Sequence, residues 1–220
     1  AEYTTAPEKL LGRIPDAVSF NEAASLPIAA ITALQGLRDY KKLGADSQVL
    51  IVGASGGVGT FAMQIAKLLG AEITAVCGPK NVEMIRSLVA TRVVDYSQED
   101  FTQLEERFDL LLAVHGSQSV GTYRKLLKPD GYLVMAGGAL GQLISMMATN
   151  WLVTGSRKKM ILLNARPSVE DLETLVQWVA EGKLKPVIER VVTFAETPQA
   201  FTYVNTGHAR GKVIVKIVED

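Results

Sequence analysis

The fold is decided by the stretch Val49-Leu50-Ile51-Val52-Gly53-Ala54-Ser55-Gly56-Gly57-Val58-Gly59. A short apolar run ends here in glycine, and residues 57–69 then place apolar side chains such as Phe61, Ile65 and Leu68 at helical spacing. The pattern predicts a buried strand, a tight turn and a helix.

Outward from this unit, the same alternation repeats along the chain. Apolar runs typical of strands occupy residues 72–77, 92–96, 108–114, 132–137 and 159–163, and helical patterns occupy residues 82–90, 119–127 and 168–182. Strands that alternate with helices pair in parallel through right-handed crossovers, with helices on both faces of the sheet. The sequence therefore predicts an α/β fold with a doubly wound parallel sheet of the Rossmann type.

Both ends of the chain depart from this alternation. Ser19-Phe20-Asn21-Glu22 has the spacing of a capping box, and it predicts a helix that continues through Pro27 to about Leu37. Towards the other end, a run at 191–194, a helix start at 197–198 and a run at 212–218 predict strand, helix and strand. We expect these flanks to pack together as part of a second domain.

The glycine turn also predicts a ligand, because it follows a buried strand and opens a helix as a dinucleotide-binding turn does. Glycine at positions 56 and 57 lets backbone amides approach a pyrophosphate at the positive end of the helix. Glycine at position 59 lets the helix pack closely on the strand. The residues predicted to bind the pyrophosphate of a nicotinamide dinucleotide are Ala54, Ser55, Gly56, Gly57, Val58 and Gly59.

Other interpretations of the turn were weighed. Ala54 stands where the first glycine of G-x-G-x-x-G is expected, although Gly53 lies beside it. A nucleoside triphosphate loop is disfavoured because no Lys-Ser or Lys-Thr pair follows the glycines. A methyltransferase loop and a turn that binds nothing stay open as alternatives.

The second strand ends without the acid that NAD-binding sites use. That place, about 20 residues beyond the glycines, holds Cys77-Gly78-Pro79-Lys80-Asn81. Lys80 can pair with a 2′-phosphate, with Arg86 and Tyr96 as further candidates, so the sequence favours NADP(H) over NAD(H). A solvated lysine is the alternative for Lys80. Cys77 is interpreted as a cofactor contact without chemistry, because strand-end cysteines are more often small buried apolar residues.

Composition excludes several partners. The 220 residues carry 23 Lys and Arg against 23 Asp and Glu, so no basic field is available for nucleic acid or an anionic membrane. Cys77 is the only cysteine, which excludes an internal disulfide and a thiolate-rich zinc site and fits a reducing compartment. Residues 1–5 lack a signal-peptide pattern, and the longest apolar segment, 140–153, is shorter than the roughly 20 residues of a membrane span. We predict a cytoplasmic protein.

Further motifs accompany the glycine turn. They are Glu22-Ala23-Ala24-Ser25-Leu26-Pro27 with Thr32-Ala33-Leu34, Gln64-Ile65-Ala66-Lys67, Val94-Asp95-Tyr96, and Gly211-Lys212-Val213. With these motifs, essentially the whole chain resembles the medium-chain dehydrogenase/reductase superfamily, in particular its quinone-oxidoreductase-like, zinc-type alcohol dehydrogenase-like branch of NAD(P)-dependent reductases.

The resemblance implies a GroES-like catalytic domain, then the cofactor-binding sheet, then a return to the first domain. Residues 1–20 would be a remnant of the catalytic domain, residues 21–185 the NADP-binding Rossmann domain with its leading helix, and residues 186–220 the return segment. We expect an N-terminally truncated chain that lacks most of the catalytic half.

The resemblance also implies a place for each site residue on the cofactor. Thr32 would lie near the nicotinamide and residues 56–59 under the pyrophosphate. Around the adenosine ribose and its 2′-phosphate would lie Gly78, Lys80, Asn81 and Tyr96, and the strand-end residues lining the cleft would be His115, Gly137 and Gly138. A capped strand-end histidine is an equal alternative for His115. No catalytic residue is identified.

For the intact protein, the resemblance implies hydride transfer between NADP(H) and a carbonyl, a quinone or a conjugated alkene. Short-chain reductases need a Tyr with a Lys four residues later, and no tyrosine here has one. A cofactor-binding fragment without turnover stays open, as does a zinc-dependent alcohol dehydrogenase whose ligands precede this chain, which alone shows no zinc site. Residues 140–153 are a candidate substrate rim or homodimer contact, with a core helix slightly favoured.

Overall fold

A six-stranded parallel sheet holds the glycine turn at the end of its first strand. The computed structural model describes residues 3–88, 91–114, 118–137 and 157–218. The strands are β1 (Gln48–Val52), β2 (Glu72–Cys77), β3 (Arg92–Asp95), β4 (Phe108–Ala113), β5 (Leu127–Met135) and β6 (Lys159–Leu162). Their spatial order is β3-β2-β1-β4-β5-β6, which reverses direction between β1 and β4, where open α/β sheets bind ligands. The predicted doubly wound sheet is confirmed.

Helices cover both faces of this sheet. The described α-helices are α1 (Phe20–Ser25), α2 (Ala29–Arg38), α3 (Gly57–Leu68), α4 (Val82–Leu88), α5 (Val120–Lys125), α6 (Val169–Ala180) and α7 (Thr197–Asn205). Helices α2, α3 and α6 bury one core, which includes Leu34, Phe61 and Leu175. On the other face, Tyr123 of α5 packs in a second core with Phe108. Within the described ranges, no helix is long and apolar enough to cross a membrane.

The predicted leading helix is wrong in one respect, because it is two helices. The predicted capping box is present: the Ser19 side chain accepts from the Glu22 N–H and the Glu22 carboxylate accepts from the Ser19 N–H. Helix α1 then ends at Ser25, and α2 begins at Ala29. Pro27 has no N–H to donate, and its ring clashes with the carbonyl four residues earlier, so it interrupts a pattern that the apolar spacing alone continues.

Strand β5 also begins earlier than predicted. Residues 129–131 indicate a turn, yet Leu127 already pairs with Phe108 of β4, and the pairing resumes between Leu110 and Tyr132 after a register shift. The extra residues form an irregularity within the strand, so the turn-forming residues are accommodated without ending it.

The last segment forms a sheet of its own. Strands β7 (Ile188–Thr193) and β8 (Lys212–Lys216) pair in parallel and are connected through α7, which confirms the predicted strand, helix and strand. Gly211, just before β8, has a φ of +62°, and a Cβ there would lie 2.1 Å from the Val187 carbonyl oxygen. Its N–H donates to the Ser55 carbonyl at 2.9 Å, which fastens this segment to the glycine turn.

Candidate dinucleotide-binding site

The turn between β1 and α3 leaves the start of α3 without a capping side chain. Gly56 is the N-cap residue and offers no side-chain acceptor. The N–H groups of Gly57, Val58 and Gly59 occupy the first turn, where a helix has no carbonyl of its own to accept from them. These donors and the positive end of the helix dipole are therefore available to an anion.

A close approach between helix and strand fixes this turn. A Cβ on Gly59 would lie 2.2 Å from the Gly53 carbonyl oxygen and 2.7 Å from the Ala54 Cα. No side chain fits such a space, so glycine is required for α3 to begin against the end of β1. The packing role predicted for Gly59 is confirmed.

A cavity of about 730 Å³ opens at this turn, where β1 to β4 end. Its volume is in the range of small-molecule and cofactor sites. Its walls come from the glycine turn, from the ends of β1 and β2, from the segment after β3, from the end of β4 and its following loop, and from residues 207–209 before β8.

Six of the residues predicted to bind a cofactor lie on the wall of this cavity. They are Ser55, Gly56, Cys77, Gly78, Asn81 and Tyr96. They come from the glycine turn, from the end of β2 and from the position after β3, so the fold joins three segments that are separate in sequence. Their approach is close, because a Cβ on Gly78 would lie 2.7 Å from the Tyr96 hydroxyl oxygen.

Other predicted residues lie behind or beside this wall. Ala54 is fully buried, and its N–H donates to the Val76 carbonyl at 3.1 Å, so it supports the turn rather than lining the cavity. Lys80 is exposed in the short helical turn Pro79–Asn81, between two residues of the wall. Gly137 follows β5 and is not on the wall.

Thr32 lies elsewhere. It lines a separate apolar hollow of about 240 Å³, together with Ile28 and Arg166 among others. The structure does not bring Thr32 onto the wall of the larger cavity. His115, Gly138 and the segment 140–153 lie outside the described residues.

A side-chain oxygen faces this cavity without a partner. The Oδ1 atom of Asn81 is buried and accepts no hydrogen bond from any described residue. The backbone around it is fixed, since the Asn81 N–H donates to the Gly78 carbonyl at 3.0 Å. A buried acceptor without a donor is uncommon in folded proteins and calls for a group that the protein alone does not supply.

Cys77 supplies a neutral wall. Burial, and secondarily the charge of Asp95, raise the pKa of the Cys77 thiol to about 11, so the group is protonated near neutral pH. A protonated thiol is a poor nucleophile and a poor zinc ligand. Across the described ranges, no group of three or more His, Cys, Asp and Glu side chains is placed to hold a metal ion. The residues present therefore do not fit a zinc ion.

The sequence prediction missed two parts of the wall. The first is the segment after β3, which contributes Ser97, Gln98, Glu99, Asp100 and Phe101. Its position at the carboxyl end of a strand could have indicated it. The second is residues 207–209, whose local sequence gives no such signal, because only the return of the chain brings them here.

Lys212 lies over the first turn of α3. A Cβ on Gly57 would lie 2.8 Å from the Lys212 Cδ and 3.7 Å from its Nζ, so the side chain runs alongside this residue. Burial lowers the pKa of the Lys212 ammonium. A buried cation beside the positive end of a helix dipole is unfavourable until an anion joins them.

Comparisons with known proteins agree with this geometry. A model of the zinc-binding dehydrogenase family matches residues 88–215. The chain is 33% identical over 225 residues to a chloroplast envelope quinone oxidoreductase homolog of Arabidopsis thaliana, covering 98% of this chain and 68% of that protein. It is 33% identical over 248 residues to the mitochondrial NAD(P)H oxidoreductase RTN4IP1 of Danio rerio, covering 100% and 63%.

Among solved structures, the quinone oxidoreductase from Coxiella burnetii matches with a TM-score of 0.84 at 28% identity, covering 94% of this chain and 63% of that one. The chain thus spans roughly two thirds of the length of these relatives.

Proposed function

Because the chain belongs to the medium-chain dehydrogenase/reductase family of oxidoreductases, we propose that its cavity binds NADP(H) and that the chain is the cofactor-binding part of a reductase. When bound, the nicotinamide supplies a hydride to a carbonyl, a quinone or a conjugated alkene. The residues described here bind and orient the cofactor.

The glycine turn carries the proposal. Its first-turn amides have no acceptor inside the helix, and Gly56 presents no side chain between them and the cavity. A pyrophosphate placed here accepts hydrogen bonds from these amides and interacts favourably with the dipole of α3. The Lys212 ammonium, held against Gly57, adds a positive charge at the same place.

Preference for NADP(H) rests on the end of β2. The wall there has Cys77 and Gly78 rather than a carboxylate, and Lys80 stands exposed beside it. Two acids do line the cavity further along, but both are engaged. Glu99 pairs with Arg92 at 2.5 Å, and Asp100 accepts a hydrogen bond from the N–H of the residue two positions on. Lys80 thus faces a 2′-phosphate without a competing acid at that strand end.

Turnover is a separate question from binding. The chain spans roughly two thirds of its relatives, so a chain that binds NADP(H) without turnover is the second candidate function. Its small-molecule substrate, a homodimer and the cytoplasmic location stay predictions.

Titration of the chain with NADPH and NADH, by calorimetry and by the rise in melting temperature, tests the proposal. We expect both to bind and NADPH to bind more tightly. Replacement Lys80→Ala should weaken NADPH about tenfold or more and leave NADH nearly unchanged, because only NADPH carries the 2′-phosphate. The matched control is Lys67→Ala, an exposed lysine in the last turn of α3.

Each outcome is informative. Absence of binding by either dinucleotide at millimolar concentration would refute the function, and equal weakening of both by Lys80→Ala would refute the phosphate contact. Consumption of NADPH in the presence of a quinone or an enone separates the reductase from the binding-only candidate, which predicts none.

A further inference from the structure

The unpartnered oxygen of Asn81 indicates what part of the cofactor lies beside it. Among the described residues, Asn81 Oδ1 stands alone as a buried side-chain nitrogen or oxygen atom without a hydrogen bond. A buried acceptor that has lost its water without gaining a donor destabilises the folded chain. The cavity that this atom faces therefore needs a donor from outside the protein.

The position of Asn81 leaves little room for this side chain to find another partner. Pro79 begins the helical turn Pro79–Asn81, and the Asn81 N–H bonds back to Gly78 at 3.0 Å. Gly78 in turn lies against the Tyr96 ring, with 2.7 Å between the hydroxyl oxygen and a Cβ built on the glycine. The turn is held on both sides, so the amide stays at the cavity wall.

The surroundings favour a neutral donor over a phosphate. No Lys or Arg side chain is among the described residues that line the cavity, whereas Glu99 and Asp100 are. The neighbouring thiol of Cys77 is buried and neutral. An amide oxygen repels a phosphate oxygen, and nothing on this wall would compensate, so the 2′-phosphate belongs at the exposed side where Lys80 stands.

We propose that Asn81 Oδ1 accepts a hydrogen bond from the 3′-hydroxyl of the adenosine ribose, a donor that NADPH and NADH share. The inference rests on the proposed function. Asn81 lies at the end of β2, where NAD-binding sites place a carboxylate that accepts from the ribose. Here a neutral acceptor takes that place: Asn81 contributes to the affinity for both dinucleotides, and Lys80 distinguishes between them.

Replacement Asn81→Leu tests this assignment, because it keeps the approximate volume and removes the acceptor. We expect the affinities for NADPH and NADH to fall by the same factor, about tenfold. The ligand-free variant should melt about 2–4 °C higher than the wild type, because the unpartnered oxygen is gone. Gain of stability with loss of affinity distinguishes a ligand contact from a structural role. Asn164→Leu, at an exposed loop position off this wall, is the matched control.

A ligand-side comparison identifies the donor. Wild-type chain should prefer adenosine diphosphate over its 3′-deoxy form, and Asn81→Leu should lose that preference. Absence of binding by the wild type would refute the proposed function. If the wild type binds both dinucleotides, the Asn81 assignment alone is overturned by a variant that binds them equally well, by loss of NADPH alone, or by a lower melting temperature of the variant.

Discussion

A methyl group at position 56 should separate the needs of the fold from those of the ligand. Gly56 has φ −79° and ψ 175°, an extended conformation open to any residue, and a Cβ there would lie 3.7 Å from its nearest neighbour, the Gly53 carbonyl oxygen. Replacement Gly56→Ala reduces the conformational freedom of the unfolded chain and gives a poorer N-cap, two effects of opposite sign. We expect the free energy of unfolding to change by less than about 1 kcal/mol.

The cavity, in contrast, has to accept this methyl group. Because the added Cβ meets no other protein atom within 4 Å, it projects into the space where the pyrophosphate would approach the first turn of α3. Loss of one charge-assisted hydrogen bond costs about 1.5–3 kcal/mol, which corresponds to roughly a 10- to 150-fold weaker dissociation constant. NADPH and NADH should be affected alike, since both carry the pyrophosphate.

Calorimetric titration with both dinucleotides, together with thermal melting of the free chain, measures the two effects separately. A folded Gly56→Ala chain that binds NADPH as the wild type does would refute a close approach of the ligand to this backbone. A melting temperature lowered by 10 °C or more, far beyond the roughly 2–4 °C expected for 1 kcal/mol in a chain of this size, would refute the local geometry.

Two further replacements test the framework around the site. Gly59→Ala should destabilise the chain by about 2–4 kcal/mol in chemical unfolding, because its Cβ meets backbone at 2.2 Å, whereas Gly44→Ala, with nothing within 4 Å, should change little. Asp171 is the second case: burial would raise the pKa of its carboxyl, but hydrogen bonds from Arg38 and Gln35 outweigh it and hold the pKa below its ordinary 3.8. Its stabilisation, about 1–3 kcal/mol, is present above that value and lost as the pH falls through the lowered pKa. Asp171→Asn should therefore unfold more easily than the wild type at neutral pH, with a difference that shrinks in acid; a constant difference would contradict the ion pair.

The sheet could be predicted because each strand is a short apolar run with its own boundary signals. Strand β2 occupies the predicted residues 72–77, since a glycine and a charged residue precede it and a glycine follows it. The leading helix was harder, because its apolar spacing continues across Pro27 and only the missing N–H of that residue divides it. At β5, turn-forming residues lie inside a strand, and only the pairing with β4 reveals this.

The site followed a similar division. Residues at the ends of β1 and β2 could be placed because parallel strands bring their carboxyl ends to one edge. That Lys80 stands beside the wall while Asn81 lines it could not be read from the sequence, since it depends on the direction of a single helical turn. The missing partner of Asn81 Oδ1 is likewise visible only once the neighbouring atoms are in place.

Residues 207–209 show why the predicted boundary after residue 185 does not separate the site from the rest of the chain. They line the cavity although they follow α7, and the bond from the Gly211 N–H to the Ser55 carbonyl holds them there. The conformation of Gly211 and its approach to Val187 allow no side chain, so the contact depends on one glycine outside the predicted cofactor domain. The return segment therefore completes the cavity wall that the glycine turn begins, and the cofactor site is a property of both parts together.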